Sequence, residues 1–245
     1  MIAPYKGYNW FRVNQRGVCS DAYLIARDPI LPARIAMLFY DCSTAPSPRR
    51  ARMFIAEKGL TIETRDTSIA KSEQLLPDFL AVNPRATLPV LVTDAGAVLT
   101  ENIAIAAYLE AMFPEPALMG TTPDEKATVL MWNAICEQQG LLPVSEVLRN
   151  SNPRMKGRAL TGPVNFDQIP ELAERGRHRI DLFYATIEKQ LNESRYLALD
   201  HLTLADISAF VVIDFMRVVK MLIPGENTAT RAWFDATKAR PSASL

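Results

Sequence analysis

Apolar positions along the chain repeat with two periods, and the change of period divides it. Residues 35–40 are a short unbroken apolar run, which predicts a buried strand. Residues 49–58 put Ala51, Phe54 and Ile55 on one helical face, with Gly59 as the stop. Ser47 before Pro48 predicts where that helix starts, serine as N-cap and proline as the first helical residue. Residues 61–67 alternate and are β-branched, so they predict a strand. Residues 77–82 predict a short helix ending at Asn83-Pro84. Residues 88–92 predict a strand near whose start stands Pro89. Asp94-Ala95-Gly96 turns the chain, and residues 97–99 complete a hairpin. Residues 101–113 predict a helix, with Ile105, Tyr108, Leu109 and Met112 at i, i+3, i+4, i+7.

This order, βαβ then α then ββα, is an α+β domain of the thioredoxin type. A Pro- and Gly-rich stretch, residues 114–123, follows as a linker. Beyond it only the helical period persists. Residues 123–149 are helical with a bend implied by Gly140 and Pro143. Residues 151–170 read as a loop. Residues 171–192 carry Ile180, Phe183, Tyr184, Ile187 and Leu191 on one stripe. Residues 203–222 turn Leu204, Ile207, Val211, Phe215, Val218 and Leu222 inward, and residues 229–238 form a last helix. The predicted organisation is a thioredoxin-like domain at 37–116 and an all-α domain at 117–245. Residues 1–36 have no period, are broken by Asp28-Pro29 and Leu31-Pro32, and read as a poorly ordered extension. Met37 is then a candidate start, and deletion to it should leave ligand binding intact.

Composition narrows the function classes. The chain has 27 Lys+Arg against 27 Asp+Glu, which argues against a dedicated nucleic-acid binder. Its 2 histidines, His178 and His201, leave no room for a His-rich metal site. The 3 cysteines, Cys19, Cys42 and Cys136, are odd in number and far apart, so zinc-knuckle, dithiol and disulfide spacings are missing. A reducing compartment is the simpler reading. The most apolar stretch, near residues 204–222, is interrupted by Asp206, Asp214, Arg217 and Lys220, so it predicts a buried helix and no membrane span. The N-terminus lacks the apolar core of a secretory signal.

Three local features carry chemistry. In Thr87-Leu88-Pro89-Val90-Leu91, the proline has no N–H for a strand ladder. A cis bond before it would turn the Leu88 backbone outward, free to pair with an extended peptide; a trans proline at a strand start is the alternative. Thr100-Glu101-Asn102 precedes a helix whose free N–H groups and dipole suit a carboxylate. Asn102 would help hold it, and Glu101 would accept from an ammonium; ordinary capping is the alternative. Cys42-Ser43-Thr44-Ala45-Pro46-Ser47 leads into the first helix, where a ligand thiolate would be stabilised by the dipole and a nearby hydroxyl. Here too plain capping is the alternative.

In this order and spacing the features resemble the cytosolic glutathione transferases. The resemblance covers residues 35–245 and is strongest in Ala45-Pro46-Ser47-Pro48-Arg49-Arg50-Ala51-Arg52, in Phe79-Leu80-Ala81-Val82-Asn83-Pro84 through Leu91, and in Thr100-Glu101-Asn102. Thr203-Leu204-Ala205-Asp206-Ile207 resembles the family's capping box in the helical domain. The Pro-Arg-Arg helix start looks most like an atypical bacterial and fungal subfamily. The resemblance implies glutathione as co-substrate, with no metal. Pro89 matches the family's cis-proline and Leu88 the residue whose backbone pairs with the cysteinyl part. Glu101 and Asn102 match the pair that binds the γ-glutamyl group, with Asn in place of the usual Ser; an amide still donates to a carboxylate. The family's Ser or Cys catalyst falls on Ala45 and its Tyr catalyst on Asp41, so none is in register. Tyr40, one position off, would point to the opposite face of its strand. Substitutes are the dipole of the first helix with Ser47, then Ser43 or Thr44, and last Cys42, which reads better as a small buried hydrophobe.

The resemblance further implies a cytoplasmic homodimer that conjugates glutathione to a small hydrophobic electrophile, with no nucleic-acid or membrane partner. The acceptor would lie against the first long helix of the second domain, where Trp132, Asn133, Cys136 and Glu137 share a face, although helix packing explains Trp132 and Cys136 equally well. His178, in an Arg-rich cluster, reads as surface. Two alternatives stand beside conjugation: a glutathione-dependent disulfide or peroxide reductase, and a non-enzymatic binding or assembly module.

Overall fold

A computed structural model of the chain describes residues 35–245, with side chains from Met37 onward. The extension expected over residues 1–36 lies outside the described residues, except that the first strand already begins at Ile35. A start at Met37 would therefore shorten that strand by its first two residues.

The elements are β1(Ile35–Asp41), α1(Pro46–Glu57), β2(Ile62–Asp66), α2(Pro77–Val82), β3(Val90–Val92), β4(Val98–Thr100) and α3(Asn102–Met112), followed by α4(Pro123–Ile135), α5(Leu142–Ser151), α6(Pro170–Glu193), α7(Leu204–Met216) and α8(Thr228–Lys238). This is the expected thioredoxin-like portion followed by a helical one. The sheet order is β2-β1-β3-β4, with β1 parallel to β2 and antiparallel to β3, and β3 antiparallel to β4. Helix α1 supplies the crossover that a parallel pair requires.

Side-chain alternation along β1 separates two faces. Met37 and Phe39 enter the main core with Phe54, Ile105 and Leu109. Tyr40 enters a smaller cluster with Phe79 and Val90, its ring edge-on to Phe79 at 5.8 Å between centroids. Tyr40 therefore packs under α2, on the face away from α1.

Helix α7 is buried on all sides from Leu204 to Ile213 and forms the centre of the helical portion. Its start is held by the pairing expected at Thr203 and Asp206. The Asp206 carboxylate accepts from the Thr203 N–H (3.0 Å) and hydroxyl (2.9 Å), the Leu197 N–H (3.0 Å) and Trp233 Nε1 (3.2 Å). Burial pushes this carboxyl group up from its ordinary value, and those four bonds pull against the rise.

Several expectations need correction. Helix α1 starts at Pro46 with Ala45 as N-cap, so Ser47 is the second helical residue and makes no capping bond. Both prolines fit the first turn, where a missing N–H loses nothing. Helix α7 ends at Met216, and Lys220 takes a left-handed φ of 61°. Val218 and Leu222, expected inward, are 46% and 68% exposed, because the apolar period outlasts the helix. Met112 is likewise exposed, as the last residue of α3. The bend expected at Gly140 and Pro143 is a π-helical turn over Cys136–Leu141. A Cβ on Gly140 would lie 2.7 Å from Val212 Cγ1 and 3.0 Å from Phe183, so only glycine fits.

The two portions are joined through α1. Arg49 reaches Asp214 (2.5 Å) and the Ala243 carbonyl (2.7 Å). Glu57 accepts from Arg240 at 2.8 and 2.6 Å and from the Ser242 hydroxyl.

Candidate functional site

A cleft of about 800 Å³ opens between the portions. One wall holds the start of α1, the Thr87–Pro89 segment and the start of α3. The π-turn, α5 and the loop before α6 form the other.

The start of α1 offers few donors. Pro46 and Pro48 have no N–H, the Ala45 N–H goes to the Cys42 carbonyl (3.0 Å), and the Arg49 N–H goes to the Ala45 carbonyl (3.3 Å). Only the N–H of Ser47 remains without a partner among the described residues, beside a hydroxyl that is also unbonded. Ser47 lines the cleft. Ser43 and Thr44 do not: both are exposed, the Ser43 N–H bonds Asp66 (3.2 Å), and Thr44 Oγ1 stands 3.6 Å from Cys42 Sγ. Cys42 is buried and also absent from the lining. Asp41 accepts from Arg52 at 2.6 Å and from the Cys42 N–H at 2.7 Å.

Leu88 and Pro89 line the cleft, and the peptide bond between them is cis. The Leu88 N–H and carbonyl have no partner among the described residues.

The start of α3 is built on a strained residue. Glu101 has φ 70° and ψ 132°, a conformation that a side chain makes unfavourable and that recurs at binding sites. Its carboxylate faces Arg85 at 3.1 Å and is largely exposed. The capping alternative does not hold: no side chain among the described residues caps α3, and the Thr100 hydroxyl accepts from Arg85 instead. Glu101's carbonyl takes the N–H groups of Ala104 and Ile105, leaving those of Asn102 and Ile103 free among the described residues. The Asn102 side chain is buried beside them, and its Oδ1 has no partner among the described residues.

That orphan has company. Buried polar side-chain atoms normally find a partner. Among the described residues five have neither a hydrogen bond nor an ion pair, and four of them belong to residues of this cleft: Arg50 Nε, Gln74 Oε1, Asn102 Oδ1 and Arg158 Nε. Sequence reasoning missed Arg50 and Gln74. Arg50 is 3% exposed, and its guanidinium reaches Glu137 at 2.6 Å across the cleft. A charge beside Ala51 and four residues before Phe54, on the buried face of a predicted helix, was the available signal. Of the four residues expected on the helical side, Glu137 alone lines the cleft. Trp132 and Asn133 are core, Asn133 accepting from the Ser208 hydroxyl at 2.7 Å. Cys136 is core as well, and burial raises its thiol well above the ordinary value. His178 is exposed. No described helix is long and apolar enough to cross a membrane.

Comparison with known proteins gives the site a context. Residues 44–112 match the family model for the glutathione S-transferase N-terminal domain, and residues 170–236 the model for its C-terminal domain. Glutathione S-transferase 2 of Saccharomyces cerevisiae is 34% identical over 209 residues, spanning 84% of this chain and 87% of its own. The crystal structure of Gtt2 from Saccharomyces cerevisiae superposes with a TM-score of 0.77 at 33% identity, covering 84% of this chain and 98% of that one. A glutathione S-transferase domain-containing protein of Marinobacter aquaeolei VT8 gives 0.77 at 31%, covering 84% and 99%. With likeness of this extent over both portions, the chain belongs to the glutathione S-transferase family of enzymes.

Proposed function

We propose that the chain binds glutathione in this cleft and transfers its thiolate to a small apolar electrophile, as a member of the atypical bacterial and fungal subfamily. The observation that carries the reading is the set of unpartnered polar groups along the first wall. Glutathione is a peptide with a carboxylate at each end, an ammonium and two amides, and its γ-glutamyl end and cysteinyl amide find complements there. The N–H groups of Asn102 and Ile103, at the positive end of α3, suit the γ-glutamyl carboxylate. Glu101 and Asn102 Oδ1 suit the ammonium. The unpaired Leu88 backbone suits the cysteinyl amide. Gln74 Oε1 and Arg50 are further polar partners along the same wall.

The sulfur then falls at the start of α1. With two prolines in that turn, the Ser47 N–H and hydroxyl are the donors that stabilise the thiolate, and the helix dipole adds to them. The thiol proton leaves to water. The sulfur lone pair forms the S–C bond to the electrophile, and the leaving group departs with its bonding pair. Ser43 and Thr44 follow Ser47 as candidates because they lie off the cleft. The reading brings with it a cytoplasmic homodimer; exposed Leu76, Val98 and Met112 on the first portion offer apolar surface for a second copy.

Retention on immobilised glutathione, then conjugation of 1-chloro-2,4-dinitrobenzene, tests the reading. Glu101→Ala and Asn102→Ala should each weaken glutathione binding by about tenfold, the loss expected for one charge-assisted hydrogen bond. If neither change alters retention, the assigned γ-glutamyl site is wrong.

A further inference from the structure

The helical wall carries two arginines that form no ion pair among the described residues. Arg149, in the last turn of α5, and Arg158, in the loop that follows, both line the cleft. Neither forms an ion pair among the described residues, unlike Arg50, Arg175 and Arg179 nearby. Each guanidinium has five N–H donors. Of these ten, one is used among the described residues: Arg149 donates to the Arg158 carbonyl at 2.8 Å. Arg158 Nε is buried with no partner among the described residues. Burial, and then the charge of Arg158, lower the pKa of Arg149.

Three of the four carboxylates that line the same cleft are held by other arginines, Glu101 among them by Arg85. Glu146 accepts from Arg175 (2.8 Å) and Arg179 (3.1 Å), and Glu137 from Arg50. Asp167 is exposed on the loop and in no ion pair among the described residues.

The frame that holds the two arginines is fixed. The Ala159 N–H bonds the Phe166 carbonyl (3.1 Å), and the Phe166 N–H bonds the Gly157 carbonyl (3.2 Å), closing the loop on itself. Gln168 ties it to α5 through the carbonyls of Arg149 (2.7 Å) and Asn152 (2.8 Å). Around the pair, Leu142, Leu160, Phe166 and Ile169 line the cleft with half-exposed apolar side chains.

Two adjacent, partly desolvated guanidinium groups with spare donors match a carboxylate, whose two oxygens accept in the plane of the fork. The apolar surround matches an aryl or alkyl body. We propose that Arg149 and Arg158 form a carboxylate subsite, and that the acceptor taken by this enzyme is an apolar molecule bearing a carboxylate. The inference rests on reading the cleft as the acceptor site; the other source of the same chemistry is the glycyl carboxylate of glutathione itself.

The test needs no turnover. Calorimetric titration of the full chain compares 4-phenylbutyrate with 4-phenylbutanol, which keeps the body and removes the charge. The carboxylate should bind about tenfold tighter or better, as expected for a charge-assisted pair. Arg149→Gln and Arg158→Gln should each erase most of that difference, leave the affinity for the alcohol unchanged, and leave that for glutathione unchanged. Equal binding of the two probes, no measurable binding of 4-phenylbutyrate, or a preference that survives both substitutions overturns the subsite. Glutathione affinity falling together with that for the carboxylate would instead assign the pair to the glycyl group and overturn the acceptor proposal. The wild-type comparison stands even if a Gln variant misfolds, and Arg158→Lys, which keeps the charge, should retain part of the preference. Failure of wild-type protein to bind glutathione contradicts the glutathione reading and leaves the probe comparison readable on its own.

Discussion

Pro46 and Pro48 decide how much of the N-terminus of α1 a ligand can use. They remove two of the donors that a helix start normally presents, which leaves the Ser47 N–H and hydroxyl as the groups there without a partner among the described residues. Ser47→Ala keeps the N–H and removes the hydroxyl. It should raise the pKa of the bound thiol and lower kcat by about tenfold near neutral pH, one hydrogen bond to a charged group. The deficit should shrink as pH rises past the thiol pKa, where both proteins carry the thiolate; a pH–rate profile checks this. Cys42→Ser should change turnover by no more than about twofold, since the thiol is buried and off the cleft. A larger loss would favour thiol-disulfide chemistry. Most of this wall was legible in the sequence, because helix starts and X-Pro strands have local signatures. Gln74 was not, as it sits in a single 3-10 turn, Glu73–Leu75, without period. Arg50 stood on a buried face, but its partner Glu137 is 87 residues away and no local pattern joins them.

At the scale of elements, the π-turn at Cys136–Leu141 contains Glu137, which accepts from Arg50 of α1. Such turns are often found at functional sites. Gly140 and Pro143 signalled an irregularity, yet a kink and a π-turn leave the same mark on the apolar period, so only the structure distinguishes them. Gly140→Ala should destabilise the fold by about 2 kcal/mol, the usual size of overpacking in a tight core, as measured by urea denaturation. Asp206→Ala should cost more, about 3 kcal/mol, because it strands the buried donors of Thr203, Leu197 and Trp233. The premature end of α7 was not legible: Val218 and Leu222 continue its stripe, and the turn at Lys220 has no glycine to announce it.

For the whole molecule, α1 both lines the cleft and bonds across to the helical portion. Glu57 belongs to that bonding, and the hydrogen bond from Arg240 keeps its carboxyl below the ordinary value. A carboxyl with a lowered folded pKa stabilises above its unfolded pKa, and the contribution is lost as pH falls through the folded value. The wild type should therefore melt above Glu57→Gln at pH 7, and the gap should close as pH falls below about 4. Thermal melts across that range check the sign, and a gap independent of pH would contradict it. The fold class was legible from the change in apolar period, whereas this ion-paired seam joins residues over 180 positions apart and left no trace in the sequence. The most direct test of the account is a structure of the chain with glutathione bound. The sulfur is expected within hydrogen-bond reach of the Ser47 N–H and hydroxyl, the cysteinyl backbone paired with Leu88, and the γ-glutamyl group on Asn102. Glutathione bound elsewhere, or a sulfur directed away from the start of α1, would contradict it.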